Sequence, residues 1–317
     1  MKAAIIHNAG EVPAFGSFAN PSAQPGELKL RVTASALTPL TRARASGQHY
    51  SSSGQFPLVP GVDGTGRGED GQRVYFLLPR APYGALAEET VAPVAHCIAL
   101  PDGLDDVTAA AIANPGMSSW AALTERARFK AGETVLINGA TGASGQLAVQ
   151  IAKHMGAGKV IATGRDEGAL HALASLGADV LIPLTGDADD LEAKFKEQFA
   201  QRIDAVLDYL WGVSAERLLI AAAKASPEGI PVRFVQIGNA SGANITLPGA
   251  VLRSSAIELM GSGLGSVPLE RLLAAIGGVF KAAIAARLTL AAKTMPLPEI
   301  GAAWALSERQ RIVITAG

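Results

Sequence analysis

The chain has 317 residues, enough for about two domains. It is 49% hydrophobic and 17% charged with a formal net charge of −1, which is typical of a globular protein with a large core and gives no reason to expect nucleic acid or an anionic membrane as a partner. Residues 1–7 are too short an apolar run for a signal peptide, and we expect no membrane span. Cys97 is the only cysteine, which excludes an internal disulfide and makes a reducing, cytoplasmic setting the default expectation.

The N-terminal third predicts a β-rich region. Residues 28–33 alternate apolar and polar side chains, as a half-buried strand does. Residues 39–46 predict a short helix, and residues 47–60 are rich in Ser, Gly and Pro and predict a loop. Further strands are predicted at 2–7, 73–77, 85–94 and 97–100.

Beyond about residue 117 helices and strands alternate, which is typical of a doubly wound parallel sheet. The predicted strands cover 134–138, 159–163, 180–182, 205–207, 233–237, 257–260 and 311–314. One predicted helix begins near 107, before this region, and others begin near 119, 167, 190, 216, 269 and 297, with a further helix after the glycine turn that ends near 153. In such a sheet the ligand binds at the carboxyl ends of the strands, so residues 138–139, 163–164, 208–209 and 237–238 mark the expected site.

A glycine-rich turn follows the strand at 134–138. Gly139 permits a tight turn, Gly142 lets the backbone approach a pyrophosphate, and Gly145 lets the next helix pack against the strand. The helix N-terminus then faces the anion. The spacing is GxxGxxG rather than GxGxxG, and glycine-rich turns also occur where nothing binds. The backbone amides expected at the pyrophosphate are those of Thr141, Ala143 and Ser144.

The next strand ends at Gly164-Arg165, where an NAD enzyme usually has Asp or Glu to bind the ribose hydroxyls. An arginine without that carboxylate can grip a 2′-phosphate bidentately. The sequence therefore predicts NADPH rather than NADH. The alternative is that Arg165 is a solvated surface arginine after an ordinary buried strand.

Many short motifs occur in one order along the chain. They are residues 46–50 (SGQHY), 56–66 (FPLVPGVDGTG), 71–74, 84–88, 100–103, 114–117 and the glycine turn. In that order they resemble the zinc-independent, quinone-oxidoreductase branch of the medium-chain dehydrogenases/reductases, which is related to enoyl reductases. The resemblance covers nearly the whole length.

The resemblance implies an α/β fold: a doubly wound parallel Rossmann sheet plus a β-rich, GroES-like catalytic domain. It places the catalytic domain at 1–117, the NADPH-binding Rossmann domain at 118–260, and a C-terminal segment completing the catalytic domain at 261–317. The nicotinamide is expected in the cleft.

Zinc members of this family use a Cys, a His-Glu pair and a further Cys or acid as catalytic ligands. At the corresponding positions this chain has Leu40-Thr41, Val62-Asp63 and Asn114. The lone Cys97 cannot build a four-coordinate site, so we expect no metal. The histidines, His7, His49, His96, His154 and His171, show no ligand spacing.

Hydride delivery to an activated C=C bond needs no Lewis acid, whereas alcohol oxidation does. A hydrogen-bond donor suffices for the charge that develops on the carbonyl oxygen. Since members of this branch reduce quinones, alkenals or enoyl thioesters, the resemblance implies an oxidoreductase with NADPH as cofactor and a quinone or an α,β-unsaturated carbonyl as acceptor.

Tyr50, Thr41 and Asn114 are the candidates for catalysis, and Thr38 is considered together with Thr41. Tyr50 lies where enoyl-reductase relatives place a tyrosine donor, although it could equally be an exposed loop tyrosine. Thr38 and Thr41 stand where related quinone reductases often have Asn and Asp, and either hydroxyl could touch substrate or nicotinamide. Asn114 resembles the Asn-Pro of enoyl reductases and could bind the carboxamide or substrate, or cap the following helix.

Further cofactor contacts are expected at Gly238 and Asn239, which follow a strand, and at Gly263 in the glycine stretch 261–265. That stretch resembles the segment that meets the nicotinamide, but it could be an ordinary turn. Tyr209 and Trp211 could line the pocket or belong to the core. The apolar strand at 257–260 would allow sheet extension to a homodimer, as in relatives.

Two other functions stay open. The chain could be a redox sensor that holds NADPH without turnover, or an accessory protein on this fold with an inactive site, because fold alone does not secure chemistry.

Overall fold

The computed structural model describes residues 1–47, 54–306 and 311–316. The chain divides into two compact units, one formed by Met1–Asn114 with Thr289–Gly317 and the other by Pro115–Leu288. The second unit therefore includes residues 261–288, which the sequence assigned to the C-terminal segment.

Among the described residues, the strands are β1 (Lys2–Ile5), β2 (Ala14–Ser17), β3 (Glu27–Leu37), β4 (Asp63–Arg67), β5 (Arg73–Leu77), β6 (Glu89–Pro93), β7 (Cys97–Ala99), β8 (Thr134–Asn138), β9 (Lys159–Gly164), β10 (Val180–Pro183), β11 (Ala205–Asp208), β12 (Val232–Gln236), β13 (Ile257–Gly261), β14 (Ala292–Pro296) and β15 (Arg311–Thr315). The α-helices there are α1 (Pro39–Ala45), α2 (Asp106–Ala121), α3 (Ala143–His154), α4 (Glu167–Ala172), α5 (Ala188–Ala200), α6 (Gly212–Ala225), α7 (Gly249–Arg253), α8 (Leu269–Ala285) and α9 (Ile300–Ala305).

The second unit is built on a parallel sheet. Its order is β10-β9-β8-β11-β12-β13, so the chain winds outward in one direction from β8 and in the other from β11. This is the 3-2-1-4-5-6 order of dinucleotide-binding folds, in which the ligand lies where the winding reverses. The prediction of a doubly wound sheet is confirmed, and its switch point lies between β8 and β11.

Apolar runs explain these strands. Residues 135–137 of β8, 160–162 of β9 and 205–207 of β11 are all fully buried, as expected for strands covered on both faces. The core on one side includes Leu136, Phe195 and Phe199 of β8 and α5. Their burial fixes the register and so brings the strands' carboxyl ends to one edge.

The first unit is β-rich, as predicted. Its larger sheet has the order β14-β15-β3-β4-β5-β7 in the described residues, with β6 also paired to β3. The closing strand β15 is antiparallel to β3 and parallel to β14. The last residues of the chain therefore complete the sheet that the N-terminal region begins.

Helix α2 corrects one prediction. The sequence suggested separate helices near 107–112 and 119–127, but α2 runs without a break through Pro115. A proline has no N–H to offer the carbonyl four residues earlier, which here belongs to Ala111. Arg311 Nε donates to that carbonyl at 2.8 Å. Because α2 continues through residue 114, Asn114 is not a helix cap.

Among the described residues, no helix is both long enough and apolar enough to cross a bilayer.

Candidate functional site

The glycine turn joins β8 to α3 at the switch point. Gly139 has φ +87°, and a Cβ there would lie 2.7 Å from Leu210 side-chain atoms. Its amide donates to Thr163 Oγ1 at 3.0 Å, and the Ala140 amide donates to the Thr163 carbonyl at 2.8 Å. Both amides are therefore used inside the protein, and Gly139 shapes the turn.

Gly142 and Gly145 differ in what surrounds them. A Cβ on Gly145 would overlap the Ala140 backbone, so only glycine lets α3 pack this closely on the turn. A Cβ on Gly142 would meet nothing within 4 Å. The backbone at Gly142 thus faces open space, which fits a ligand approaching closely at this point.

The first turn of α3 has backbone amides that could donate to a ligand. Gly142 precedes the helix and no side chain caps it. The amides of the first residues of a helix have no acceptor within it, and together with the helix dipole they favour an anion. Ala143 and Ser144 are partly exposed there, as is Thr141 just before them. This arrangement suits a pyrophosphate.

Arg165 follows directly on the strand that lies against this turn. A Cβ on Gly164 would overlap the Thr141 side chain, so the end of β9 contacts the turn. Arg165 is exposed. Asp166 accepts from the Ala169 amide at 3.0 Å and caps α4, which fixes where the connection containing Arg165 ends.

The residues after β12 contact the loop after β11. The Gly238 amide donates to the Asp208 carbonyl at 3.1 Å, and a Cβ on Gly238 would lie 2.7 Å from the Tyr209 carbonyl oxygen. Asn239 beside it is exposed. Gly263 lies in a separate turn, where its amide donates to Ser266 Oγ at 2.8 Å.

Tyr209 and Trp211 have different surroundings. The Tyr209 hydroxyl lies 3.4 Å from Ser118 Oγ, and burial raises the pKa of Tyr209 to about 12. Trp211 packs edge-on to Phe234 with ring centroids 6.5 Å apart, so it belongs to the core of the unit.

A row of polar side chains crosses the sheet at strand ends that the sequence marks, but the hydrogen bonds between these side chains were not predicted. Asn138 and Asp208 end β8 and β11, Thr163 is the last residue but one of β9, and Asn138 Nδ2 donates to Asp208 Oδ1 at 2.8 Å. Burial raises the pKa of Asp208, while hydrogen bonds from Asn138 and from the Leu210 and Trp211 amides oppose the rise. The signal was present in the sequence, because each of these apolar runs ends in a polar residue.

The first unit contains the candidate catalytic residues. Thr41 is buried, and its Oγ1 lies 3.0 Å from that of Thr38, which caps α1 by accepting from the Thr41 amide at 2.9 Å. Thr41 also lines a cavity with Arg44 and Tyr83. Asn114 is half-buried within α2. Tyr50 lies outside the described residues, as does His49.

Asp63, which stands at the position of the zinc members' His-Glu pair, is fully buried. Its Oδ2 accepts from the Tyr75 hydroxyl at 3.0 Å. Burial raises the pKa of Asp63 to about 6, although the nearby positive charge of Arg311 opposes the rise. Across residues 1–47, 54–306 and 311–316, no three side chains of His, Cys, Asp or Glu are grouped as a metal site would need. Zinc independence stays a prediction.

Comparison with known proteins agrees with this geometry. Residues 143–276 match the family described as zinc-binding dehydrogenase. The chain is 29% identical to a probable NADPH-dependent quinone reductase, tdiC, from Emericella nidulans, over 96% of each protein. These similarities confirm the resemblance to the medium-chain dehydrogenases/reductases.

Two further proteins are similar to this chain in sequence or structure. The trans-enoyl reductase pgmF of Aspergillus terreus is 30% identical over 68% of this chain and 62% of its own length. The solved quinone oxidoreductase of Thermus thermophilus, also determined in complex with NADPH, is 26% identical with a TM-score of 0.82, covering 99% of this chain and 100% of the other.

Proposed function

We propose that this medium-chain dehydrogenase/reductase is an NADPH-dependent, zinc-independent enzyme that reduces a quinone or an α,β-unsaturated carbonyl such as an alkenal, enone or enoyl compound. The observation that carries the proposal is the turn at 139–145. It lies at the switch point of the sheet, is open at Gly142, and ends in an uncapped helix. Relatives named as NADPH-dependent quinone reductase and trans-enoyl reductase support the reaction class.

Bound NADPH would supply the hydride. The chain's own part is to hold and orient it. The amides of Thr141, Ala143 and Ser144 would bind the pyrophosphate, and the Arg165 guanidinium would pair with the 2′-phosphate. Gly238, Asn239 and Gly263 would border the rest of the cofactor.

A donor to the acceptor's carbonyl oxygen would stabilise the charge that develops there. We assign this role to Tyr50 or to the Thr41 hydroxyl. The Thr38 and Thr41 hydroxyl oxygens lie 3.0 Å apart and either hydroxyl can be the donor, so this contact holds the Thr41 side chain in place. The Asn114 side chain would bind the carboxamide or the substrate.

The test is NADPH oxidation by the purified protein with 1,4-benzoquinone, an alkenal and an enoyl thioester, with NADH in parallel. Turnover with NADPH and a clear preference for it over NADH would support the proposal. Tight NADPH binding without turnover across the panel would favour the redox-sensor function instead. Turnover that stops on chelation and returns with zinc would contradict zinc independence.

We further propose a cytoplasmic homodimer. β13 is an edge strand of the sheet, and its Leu259 is 39% exposed, so a second copy could pair with it. The lone Cys97 suits a reducing compartment. Light scattering after size exclusion tests the dimer, and Leu259→Lys should shift it towards monomer.

A further inference from the structure

Three polar residues form one row at the carboxyl edge of the parallel sheet. Asp208 of β11 is in register with Asn138 of β8, and Thr163 of β9 follows the pair Ala162–Ile137. All three are fully buried. Polar side chains buried in such a sheet cost free energy unless every one is hydrogen-bonded, so their partners are informative.

The hydrogen bonds of this row have one consistent direction. The Gly139 amide can only donate, and it donates to Thr163 Oγ1 at 3.0 Å. The Thr163 hydroxyl then donates to Asn138 Oδ1 at 2.8 Å. Asn138 Nδ2 donates to Asp208 Oδ1 at 2.8 Å and to Ser214 Oγ at 3.0 Å. We call this chain of contacts, from Gly139 to Asp208, the relay.

Asp208 also holds the loop that follows β11. Its Oδ1 accepts from the Leu210 amide at 3.0 Å and from the Trp211 amide at 3.1 Å, and its Oδ2 lies 3.2 Å from the Trp211 amide. Trp211 has φ +57° and ψ −157°, a conformation that costs a non-glycine residue energy and persists only when its surroundings fix it. Both carboxylate oxygens of Asp208 lie within hydrogen-bond distance of the Trp211 amide and so help to hold this conformation.

The held loop packs against the glycine turn. Leu210 occupies the space where a Cβ on Gly139 would be, with its side-chain atoms 2.7 Å from that point. Asp208 therefore acts on the turn twice. It acts through the relay to the Gly139 amide, and through Leu210 against the Gly139 Cα.

We propose that Asp208 is a positioning residue whose carboxylate, through the relay and through Leu210, holds the glycine turn at 139–145 ready for the pyrophosphate of the dinucleotide. This inference rests on the proposed function, since it names what prepares that site. Every hydrogen-bond partner described for the carboxylate is a neutral N–H donor, so an acceptor-only group is required at this position.

Asp208→Asn is the direct test. It keeps the shape of the side chain but places an NH₂ group against N–H donors. We expect the dissociation constant for NADPH to rise about tenfold, the effect of losing roughly one charge-assisted hydrogen bond. In the protein without NADPH, amide hydrogen exchange of residues 138–145 should become faster.

Asp204→Asn is the matched control. Asp204 is also buried and stands just before the other end of β11, where its Oδ2 accepts from the Thr134 amide at 2.9 Å. This variant should lower the melting temperature and leave both NADPH affinity and exchange at 138–145 unchanged. If Asp208 had a purely structural role, Asp208→Asn would likewise lower the melting temperature and leave NADPH affinity and exchange at 138–145 unchanged.

Thr163→Val tests the relay separately from the Leu210 contact, because it leaves the Asp208 carboxylate and its bonds to the loop amides unchanged. We expect this variant to raise the NADPH dissociation constant and to speed amide exchange at 138–145. If Asp208→Asn does not fold, Thr163→Val carries the test, because it removes only the hydroxyl between Gly139 and Asn138.

Wild-type NADPH affinity and unchanged exchange in Asp208→Asn, or in Thr163→Val where that variant is used, would overturn the inference. If the wild-type chain binds no NADPH at all, the proposed function fails. Exchange at 138–145 in the NADPH-free variants still decides whether the relay holds the turn.

Discussion

Asp63 of the first unit and Asp208 of the second unit are both fully buried, and the two carboxylates are stabilised in different ways. Asp208 accepts hydrogen bonds from neutral groups, namely the Asn138 amide and two backbone amides. Asp63 accepts from the Tyr75 hydroxyl and lies near the charge of Arg311, while its Oδ1 has no hydrogen-bond partner within the described part of the chain. Burial raises the pKa of both carboxyls.

The difference reflects what each aspartate holds. Asp208 orders backbone: a loop and, through the relay, a glycine turn where a ligand is expected. Asp63 compensates a cation, and that cation supplies the donor that Pro115 cannot give to the Ala111 carbonyl. A neutral network is suited to fixing the direction of amides, whereas near Asp63 the hydrogen bonds of Arg311 to the Ala110 and Ala111 carbonyls join the closing strand β15 to helix α2.

The largest effect is expected from Arg311→Met. This change leaves the Asp63 carboxylate without its compensating charge and the Ala111 carbonyl without its donor. We expect a loss of about 3–5 kcal/mol in the free energy of unfolding, measured by urea denaturation. The control is Arg202→Met, which removes an ion pair whose arginine is 57% exposed and should cost much less stability than Arg311→Met. Equal losses in the two variants would contradict this view of Asp63.

The pH dependence of stability should separate Asp63 from the surface acids. Its pKa rises from the ordinary value of 3.8, expected in the unfolded chain, to about 6 in the folded chain, so between these values the folded state binds more protons. Stability should therefore fall as pH rises through that window, by up to about 1.4 kcal/mol per pH unit, and Asp63→Asn should remove this slope.

Glu192 provides a control, because its contribution to stability should depend on pH with the opposite sign. Hydrogen bonds from Lys196 and Lys224 lower the pKa of Glu192 from 4.5 to about 2. Its contribution is present above 4.5 and is lost as pH falls through that range, so Glu192→Gln should flatten the acid limb only. Unfolding free energies measured from about pH 2 to about pH 7 would show both slopes, and a single shared slope would refute the assignment.

Two glycines of the turn at 139–145 should also differ in their roles, since Gly145 affects stability and Gly142 affects cofactor binding. Gly145→Ala forces α3 away from Ala140 and should cost about 1–3 kcal/mol of stability. Gly142→Ala meets no protein atom and its φ of −78° suits any residue, so stability should hold or rise slightly. NADPH affinity, measured by calorimetry, should nevertheless drop in Gly142→Ala. Unchanged affinity would mean that no ligand approaches there.

The smallest effect is expected from Arg165→Gln. The NADPH dissociation constant should rise about tenfold, since one exposed charge-assisted contact is lost, while NADH binding and stability stay unchanged. Arg67→Gln, at an exposed arginine of the other unit, should alter neither cofactor. Equal weakening of NADPH and NADH in Arg165→Gln would show that this side chain does not recognise the 2′-phosphate.

The sequence predicted the second unit well because its signals are local. Strands such as β8 and β11 are continuous apolar runs, and the glycines at 139, 142 and 145 mark the turn by spacing alone. β4 was harder, since its sequence Asp-Gly-Thr-Gly-Arg lacks a strand pattern. It is a strand because Gly64 and Gly66 let β3 approach to where a Cβ would lie 2.8 and 2.6 Å from the carbonyl oxygens of Ala34 and Arg31.

By itself the sequence determined the alternation of strand and helix, the place of the glycine turn and the arginine that follows the next strand, because each depends on residues near one another in the chain. Only the tertiary structure decided that Asp208 is linked by hydrogen bonds to the amide of Gly139, far earlier in the chain. It alone also decided that Arg311 donates to the Ala111 carbonyl of helix α2, which begins at Asp106. Those contacts depend on strand order and register, which follow from how the apolar faces pack and not from any local pattern.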